Sequence, residues 1–85
     1  MKYYQAKVKT LDSHIYPGRP VRIEIDGGKS MEIESVVDHW QEAYKDASFY
    51  PQEYFKVIAS NKKVYILRYS TLFESWWSSE LGDVS

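Results

Sequence analysis

Apolar and polar residues alternate with a period of two in several short segments, and this pattern constrains the fold more than any other feature. Successive side chains of a β-strand point to opposite faces, so the alternation predicts strands with one buried face and one solvated face. The alternating segments are 3–9, 21–26, 31–34 and 55–60. Residues 64–69 are apolar on both faces, which is typical of a central strand, and 73–77 is predicted to be the last strand.

Turn sequences separate these segments. Asp26-Gly27-Gly28-Lys29 lies between two strands, and glycine adopts the positive φ of a two-residue hairpin without steric cost. In the turn 60–63, Asn61 tolerates the same left-handed conformation. The sequence therefore predicts two β-hairpins. A proline- and glycine-containing turn at 16–20 is expected to connect the first strand to the second.

Residues 35–53 fit two local structures. After a capping Ser35, apolar residues follow at helical spacing; they are Val36, Val37, Trp40, Ala43, Tyr44 and Ala47. The preceding strand can instead continue to about Trp40, with a bulge where Val36 and Val37 break the alternation. We favour the strand, followed by a short helix or loop over 41–50, because Pro51 prevents a long helix.

These elements predict a mainly β fold. Five or six strands form an antiparallel meander that curls into a small barrel or half-barrel, because such a sheet must bury one face. With 85 residues the chain is expected to form a single β domain over 3–77, followed by a flexible polar tail over 78–85. The last strand, Phe73 to Trp77, is a candidate exposed edge that pairs with a second copy.

Composition excludes several classes of protein. The chain has no cysteine and two histidines, so neither a thiolate metal site nor a disulfide is predicted, and we expect no metal or cofactor. Its apolar runs are far shorter than the roughly 20 residues needed to cross a bilayer. The N-terminus lacks the apolar stretch of a signal peptide, and we therefore expect a cytoplasmic protein with no membrane association.

Charge is unevenly distributed although its net value is only −1. Residues 1–22 and 55–72 each carry a net charge of +4, whereas 23–54 carries −6 and 73–85 carries −3. If the two basic segments were adjacent they would form a positive face. We favour the simpler interpretation that oppositely charged strands pair across the sheet.

Asp38-His39-Trp40 is the cluster that most resembles part of an active site. In a strand, Asp38 and Trp40 share one face and His39 points to the other, so a neighbouring Asp–His pair has poor geometry. No serine or cysteine lies in a nucleophile motif, and we predict no catalytic residues and no enzyme activity. Asp38 is expected to accept a hydrogen bond from a backbone amide or an arginine, and Trp40 to anchor the core.

Aromatic residues are abundant and come largely as neighbours, such as Tyr54-Phe55 and Trp76-Trp77. Neighbours in a strand face opposite ways, so some rings either cover a second face of the sheet or lie exposed. Exposed rings favour a protein interface or self-association. Rings beside basic strands are also typical of single-stranded nucleic-acid binding, a less favoured alternative. The candidate binding residues are Tyr3, Lys7, Lys9, Tyr65, Arg68 and Trp76.

Short motifs along residues 3–77 also resemble a known family. They are Gly18-x-Pro20, Gly27-Gly28, Val36-Val37-Asp38-x-Trp40-x-Glu42, Tyr54-Phe55-x-Val57, Val64-Tyr65-x-Leu67-Arg68 and Trp76-Trp77. The chain resembles small uncharacterised bacterial all-β proteins that share a domain of unknown function. Some members are encoded beside a Y-family-type DNA polymerase. The lack of a catalytic constellation in this chain, together with its surplus of aromatic residues, predicts a non-enzymatic accessory or protein-interaction module. Where such proteins have a tryptophan pair and a Tyr-Arg-Val strand, this chain has Phe49-Tyr50 and Phe55-Lys56-Val57.

Overall fold

Antiparallel strands dominate the structure, a computed structural model that describes residues 2–11, 18–25, 28–42, 52–70 and 72–84. The strands are β1 (Tyr4–Leu11), β2 (Arg19–Ile25), β3 (Lys29–Glu42), β4 (Gln52–Ala59), β5 (Lys63–Ser70) and β6 (Ser75–Asp83). No helix occurs within these ranges. The mainly β fold predicted from alternation is confirmed.

The six strands form a closed barrel in chain order. Each strand pairs antiparallel with the next, and β6 returns to β1 through a short ladder in which Gln5 lies opposite Trp77. The antiparallel meander and its closure into a small barrel are thus confirmed. The prediction of an exposed edge at 73–77 was wrong, because β6 pairs with β5 on one side and β1 on the other.

The barrel interior is filled by alternate residues of the strands, as expected for a barrel this small. The main cluster of buried side chains comprises Ile23, Phe55, Val57, Ala59, Tyr65, Leu67, Tyr69 and Trp76. Most of it comes from β4 and β5, and β5 has a partner strand on each side, as predicted for 64–69.

β3 settles part of the ambiguity at 35–53. It runs unbroken to Glu42, with shifts of register between Ile33 and Ser35 and between Val36 and Asp38. The strand to Trp40 and its bulge at Val36 and Val37 are confirmed, and a helix beginning after Ser35 is excluded. Of the short helix or loop predicted at 41–50, the first two residues belong to β3, and 43–50 lie outside the described residues.

The two predicted hairpins are present, with different details. Gly28 has φ of 95°, as the β2–β3 turn requires, while 26 and 27 lie outside the described residues. In the β4–β5 turn the left-handed residue is Lys62, with φ of 65°, and not Asn61. Asn61 stabilises the turn through its side chain instead, since its Oδ1 accepts a hydrogen bond of 3.1 Å from the backbone N of Lys63. Most of the predicted turn at 16–20 lies outside the described residues.

The flexible tail predicted from residue 78 was wrong, because β6 continues to Asp83. Ser78 and Ser79 are buried, opposite Leu67 and Ile66 of β5. Beyond the strand, the backbone N of Val84 donates to the carbonyl of Lys62 at 2.9 Å. A polar segment is held here by backbone pairing, so the domain extends past 77 to at least Asp83.

Truncation tests whether residues 78–83 belong to the folded domain. A chain that ends after Trp77 lacks residues 78–83 of β6, which pair with β5. We expect this shorter chain to lose the cooperative urea transition seen by far-UV circular dichroism. A chain that ends after Val84 is the control and should unfold at the wild-type midpoint. An unchanged midpoint in the shorter chain would show that residues 78–83 contribute nothing to the fold.

Candidate functional site

Aromatic residues and one arginine form a continuous row across four strands. Trp40 of β3 lies opposite Tyr54 of β4, Tyr54 opposite Arg68 of β5, and Arg68 opposite Trp77 of β6. Directly opposed residues of antiparallel strands share a face. Because Phe55 is buried in the core beside Tyr54, the row lies on the outer wall of the barrel.

Two further rings contact this row, and the six residues together are called the outer aromatic face. Its members are Tyr3, Trp40, Tyr54, Arg68, Phe73 and Trp77. The rings of Trp40 and Tyr54 are stacked, with centroids 5.3 Å apart and planes within 3° of parallel. Phe73 meets Trp77 edge-on at 6.2 Å. Phe73 is 68% exposed and Trp40 is 38% exposed, so rings at both ends of the face are accessible.

Arg68 lies at the centre of the outer aromatic face. Its guanidinium carbon is 4.6 Å from the ring centroid of Tyr3 and 5.2 Å from that of Trp77. Both distances are within the range in which a cation is attracted to the face of a ring. The Nε atom is buried and has no hydrogen-bond partner in the described part of the chain. Leaving such a donor unsatisfied costs about 1–3 kcal/mol.

The residues predicted to bind a ligand divide into three groups. Tyr3 and Arg68 come together on the outer aromatic face. Tyr65 and Trp76 point into the barrel and are only 2% and 8% exposed, so their prediction as accessible rings was wrong. Lys7 and Lys9 are exposed on β1, where they line a shallow groove with Val8, Arg22 and Glu24. Sequence alternation identified the strands but did not tell which ring of each neighbouring pair faces out.

The basic segments are not adjacent, because β6 separates β1 from β5. Charges pair across neighbouring strands and turns instead. Arg22 of β2 binds Glu32 of β3, Lys62 lies 2.8 Å from Glu34, and Lys63 of β5 lies 3.5 Å from Glu80 of β6. The favoured expectation of cross-strand charge pairing is therefore met at these positions.

His39 has different neighbours from those that its sequence context suggested. Its ring stacks on Phe55 at 4.1 Å, and its Nε2 lies 2.6 Å from Oε2 of Glu53 on β4. The amide of Gln41 donates to the other oxygen of Glu53 at 3.0 Å. This cluster joins a histidine, a carboxylate and an amide, and it contains no hydroxyl or thiol that could act as a nucleophile.

The structure also shows where the neighbours of His39, Asp38 and Trp40, lie. Asp38 Oδ1 accepts a hydrogen bond of 2.8 Å from the backbone N of His39, as expected for a carboxylate that binds a backbone amide. The prediction of Trp40 as a core anchor was wrong, since the bulge before Asp38 sets its ring on the outer wall. Within the described residues, no three histidine, aspartate or glutamate side chains converge on a common metal position.

Comparisons of the chain with protein-family models, with curated proteins and with solved structures found no match. None of the described residues forms a helix long and apolar enough to cross a membrane. The role of this protein must therefore be inferred from its own residues, above all from the outer aromatic face.

The adjacent residues Trp76 and Trp77 provide a matched test of the inner and outer walls. Replacing the buried Trp76 by alanine should lower the free energy of unfolding by about 3–5 kcal/mol. Trp77→Ala removes a ring from the outer wall and should cost only about 1 kcal/mol. Urea unfolding followed by circular dichroism measures both values. Equal losses would contradict the assignment of the two rings to opposite faces.

Proposed function

We propose that this protein is a non-enzymatic accessory module that binds another protein through its outer aromatic face. The observation that carries the proposal is the row of rings and one arginine across β3, β4, β5 and β6. Tryptophan, tyrosine and arginine are the residues most enriched where protein interfaces concentrate their binding energy. Soluble proteins rarely expose large contiguous apolar patches, and the patches that they do expose often mark interaction sites.

The setting of these residues supports binding. Adjacent strands of a closed barrel hold the row, so little backbone entropy is lost when a partner docks. Leu72, which precedes Phe73 in the β5–β6 turn, is also exposed. The stacked pair of Trp40 and Tyr54 presents a flat apolar surface at the other end of the face.

Arg68 indicates the kind of group that a partner would present. Its positive charge is held beside two rings, while its Nε is buried and out of a partner's reach. A carboxylate or carbonyl oxygen of a partner that reached the guanidinium would form a charge-assisted hydrogen bond. We propose that the partner combines an apolar side chain with such an oxygen.

Binding is favoured over catalysis because the His39 cluster has a simpler role. Stacking on Phe55 and pairing with Glu53 hold His39 against β4, as expected of a structural contact. An accessory role in the cytoplasm, expected from the sequence, is part of this proposal.

Quantitative co-purification tests the proposal in the cells that make this protein. The double variant Trp40→Ala/Phe73→Ala removes the two accessible ends of the face. The control Leu11→Ala/Val84→Ala removes exposed apolar side chains elsewhere. We expect one partner to be recovered equally with wild type and control, and at least about tenfold less with the Trp40/Phe73 variant, as for loss of interface hot spots.

Sedimentation equilibrium of the same three proteins covers self-association. If the partner is a second copy, wild type and control will dimerise and the Trp40/Phe73 variant will remain a monomer. The proposal would be contradicted if wild type, control and the Trp40/Phe73 variant recovered every co-purifying protein equally and also sedimented with the same oligomeric state.

Single-stranded nucleic acid is a second candidate ligand. The near-parallel rings of Trp40 and Tyr54, with Arg68 next in the row, are the observation that favours it, because bases stack on such rings. Against it, Arg68 is the one cation of the outer aromatic face, and the nearby Lys56 lies opposite Asp38. Backbone phosphates usually require several cations.

Fluorescence anisotropy of a labelled oligothymidine separates the two candidates. At about 20 mM salt we expect no saturable binding, because a single arginine neutralises too few phosphates. Saturable binding that weakens with added salt, and that Trp40→Ala/Phe73→Ala abolishes, would replace the protein partner by nucleic acid.

A further inference from the structure

A cavity opens at one end of the barrel and is lined by none of the six residues of the outer aromatic face. It has a volume of about 560 Å³ and is lined by Tyr4, Gln5, Ile25, Tyr65, Ser78 and Glu80. The opening follows from the way β1 changes partner. Residues 4–6 of β1 pair with β6, and its pairing with β2 begins only at Lys7, opposite Glu24. Ile25, at the end of β2, therefore has no partner on β1 and borders an open seam.

Polar groups converge on the wall of this cavity. The hydroxyl of Tyr65 lies 3.5 Å from Oε1 of Glu80, and Nζ of Lys63 lies 3.5 Å from the same oxygen. Both distances are longer than the roughly 2.7–2.9 Å of strong charge-assisted hydrogen bonds. The Glu80 carboxylate can therefore accept a closer donor from a ligand. The Tyr65 hydroxyl is fixed in place because it also accepts a hydrogen bond of 3.0 Å from the amide of Asn61.

The lining sets the charge of the ligand. Glu80 is the single ionised group among the six lining residues, and the hydroxyls of Tyr65 and Ser78 can accept hydrogen bonds. The exposed ring of Tyr4 attracts a cation through its face, and Ile25 offers an apolar contact. The cavity volume lies within the range of about 300–1,000 Å³ that is typical of small-molecule sites.

We propose that this cavity binds a small organic cation. Its ammonium group pairs with the carboxylate of Glu80, and its apolar body lies against Ile25 and the ring of Tyr4. The site shares no residue with the outer aromatic face. It can therefore be correct or wrong independently of the proposed protein partner.

Three probes of nearly equal shape test the charge requirement. Phenethylammonium, 2-phenylethanol and phenylacetate are titrated into uniformly ¹⁵N-labelled protein and followed by amide chemical shifts. We expect saturable shifts for phenethylammonium, centred on Gln5, Ile25, Ser78 and Glu80. The neutral alcohol should bind about fivefold more weakly, as for loss of a partly exposed ion pair, and the anion should not bind. Equal affinities for cation and alcohol, no saturable shift, or shifts centred elsewhere would overturn the proposal.

Variants test whether Glu80 is the group that binds the ammonium. Glu80→Gln should weaken phenethylammonium binding by about fivefold, to the level of the alcohol, and leave the alcohol itself unaffected. Glu74→Gln makes the same change of charge in the exposed β5–β6 turn and should bind like wild type. Tyr65→Phe keeps the core ring and removes only the hydroxyl, so it tests the same wall if Glu80→Gln does not fold. Unchanged affinity in a folded Glu80→Gln, or equal loss in Glu74→Gln, would contradict the assignment. If Glu80→Gln does not fold, unchanged affinity in Tyr65→Phe would contradict it.

Discussion

The pairing of β1 with β6 is the interaction on which the rest of the structure depends. Its ladder is short, from Tyr4 opposite Ser78 to Ala6 opposite Trp76. Without it the chain would form an open meander with two unpaired edges and no defined interior. With it, each of the six strands has a partner on both sides, and their side chains point alternately into the barrel and onto its outer wall. The seam at which the cavity opens lies on the other side of β1, whose pairing with β2 begins only at Lys7.

Closure gives neighbouring aromatic residues different roles. Phe55 and Trp76 pack in the core at a centroid distance of 5.7 Å, whereas Tyr54 and Trp77 lie on the outer wall on either side of Arg68. One ring of each pair thus packs in the core, and the other lies on the outer wall. Since a barrel this small cannot hold every ring of its described strands, the outer wall carries the rest.

Much of the fold could be predicted from the sequence, because alternation and turn residues are local signals. The strands, both hairpins and the bulge at Val36 and Val37 are of this kind. The site could be predicted only in part, since alternation says that Trp76 and Trp77 face opposite ways but not which one faces in. The pair formed by His39 and Glu53 depends on register shifts in β3, which no local pattern reveals. The β6 continuation was missed because Ser78 and Ser79 are polar and give no hydrophobic signal.

A two-dimensional nuclear Overhauser spectrum of the assigned protein tests the central claim, that β1–β6 pairing sorts the rings, most directly. Closure predicts backbone contacts between Gln5 and Trp77. It also predicts that the indole of Trp76 contacts Phe55 and Tyr69, whereas the indole of Trp77 contacts Phe73 and the side chain of Arg68. Absence of contacts between β1 and β6, or Trp77 in contact with the core rings, would contradict this account of the fold and of its outer aromatic face.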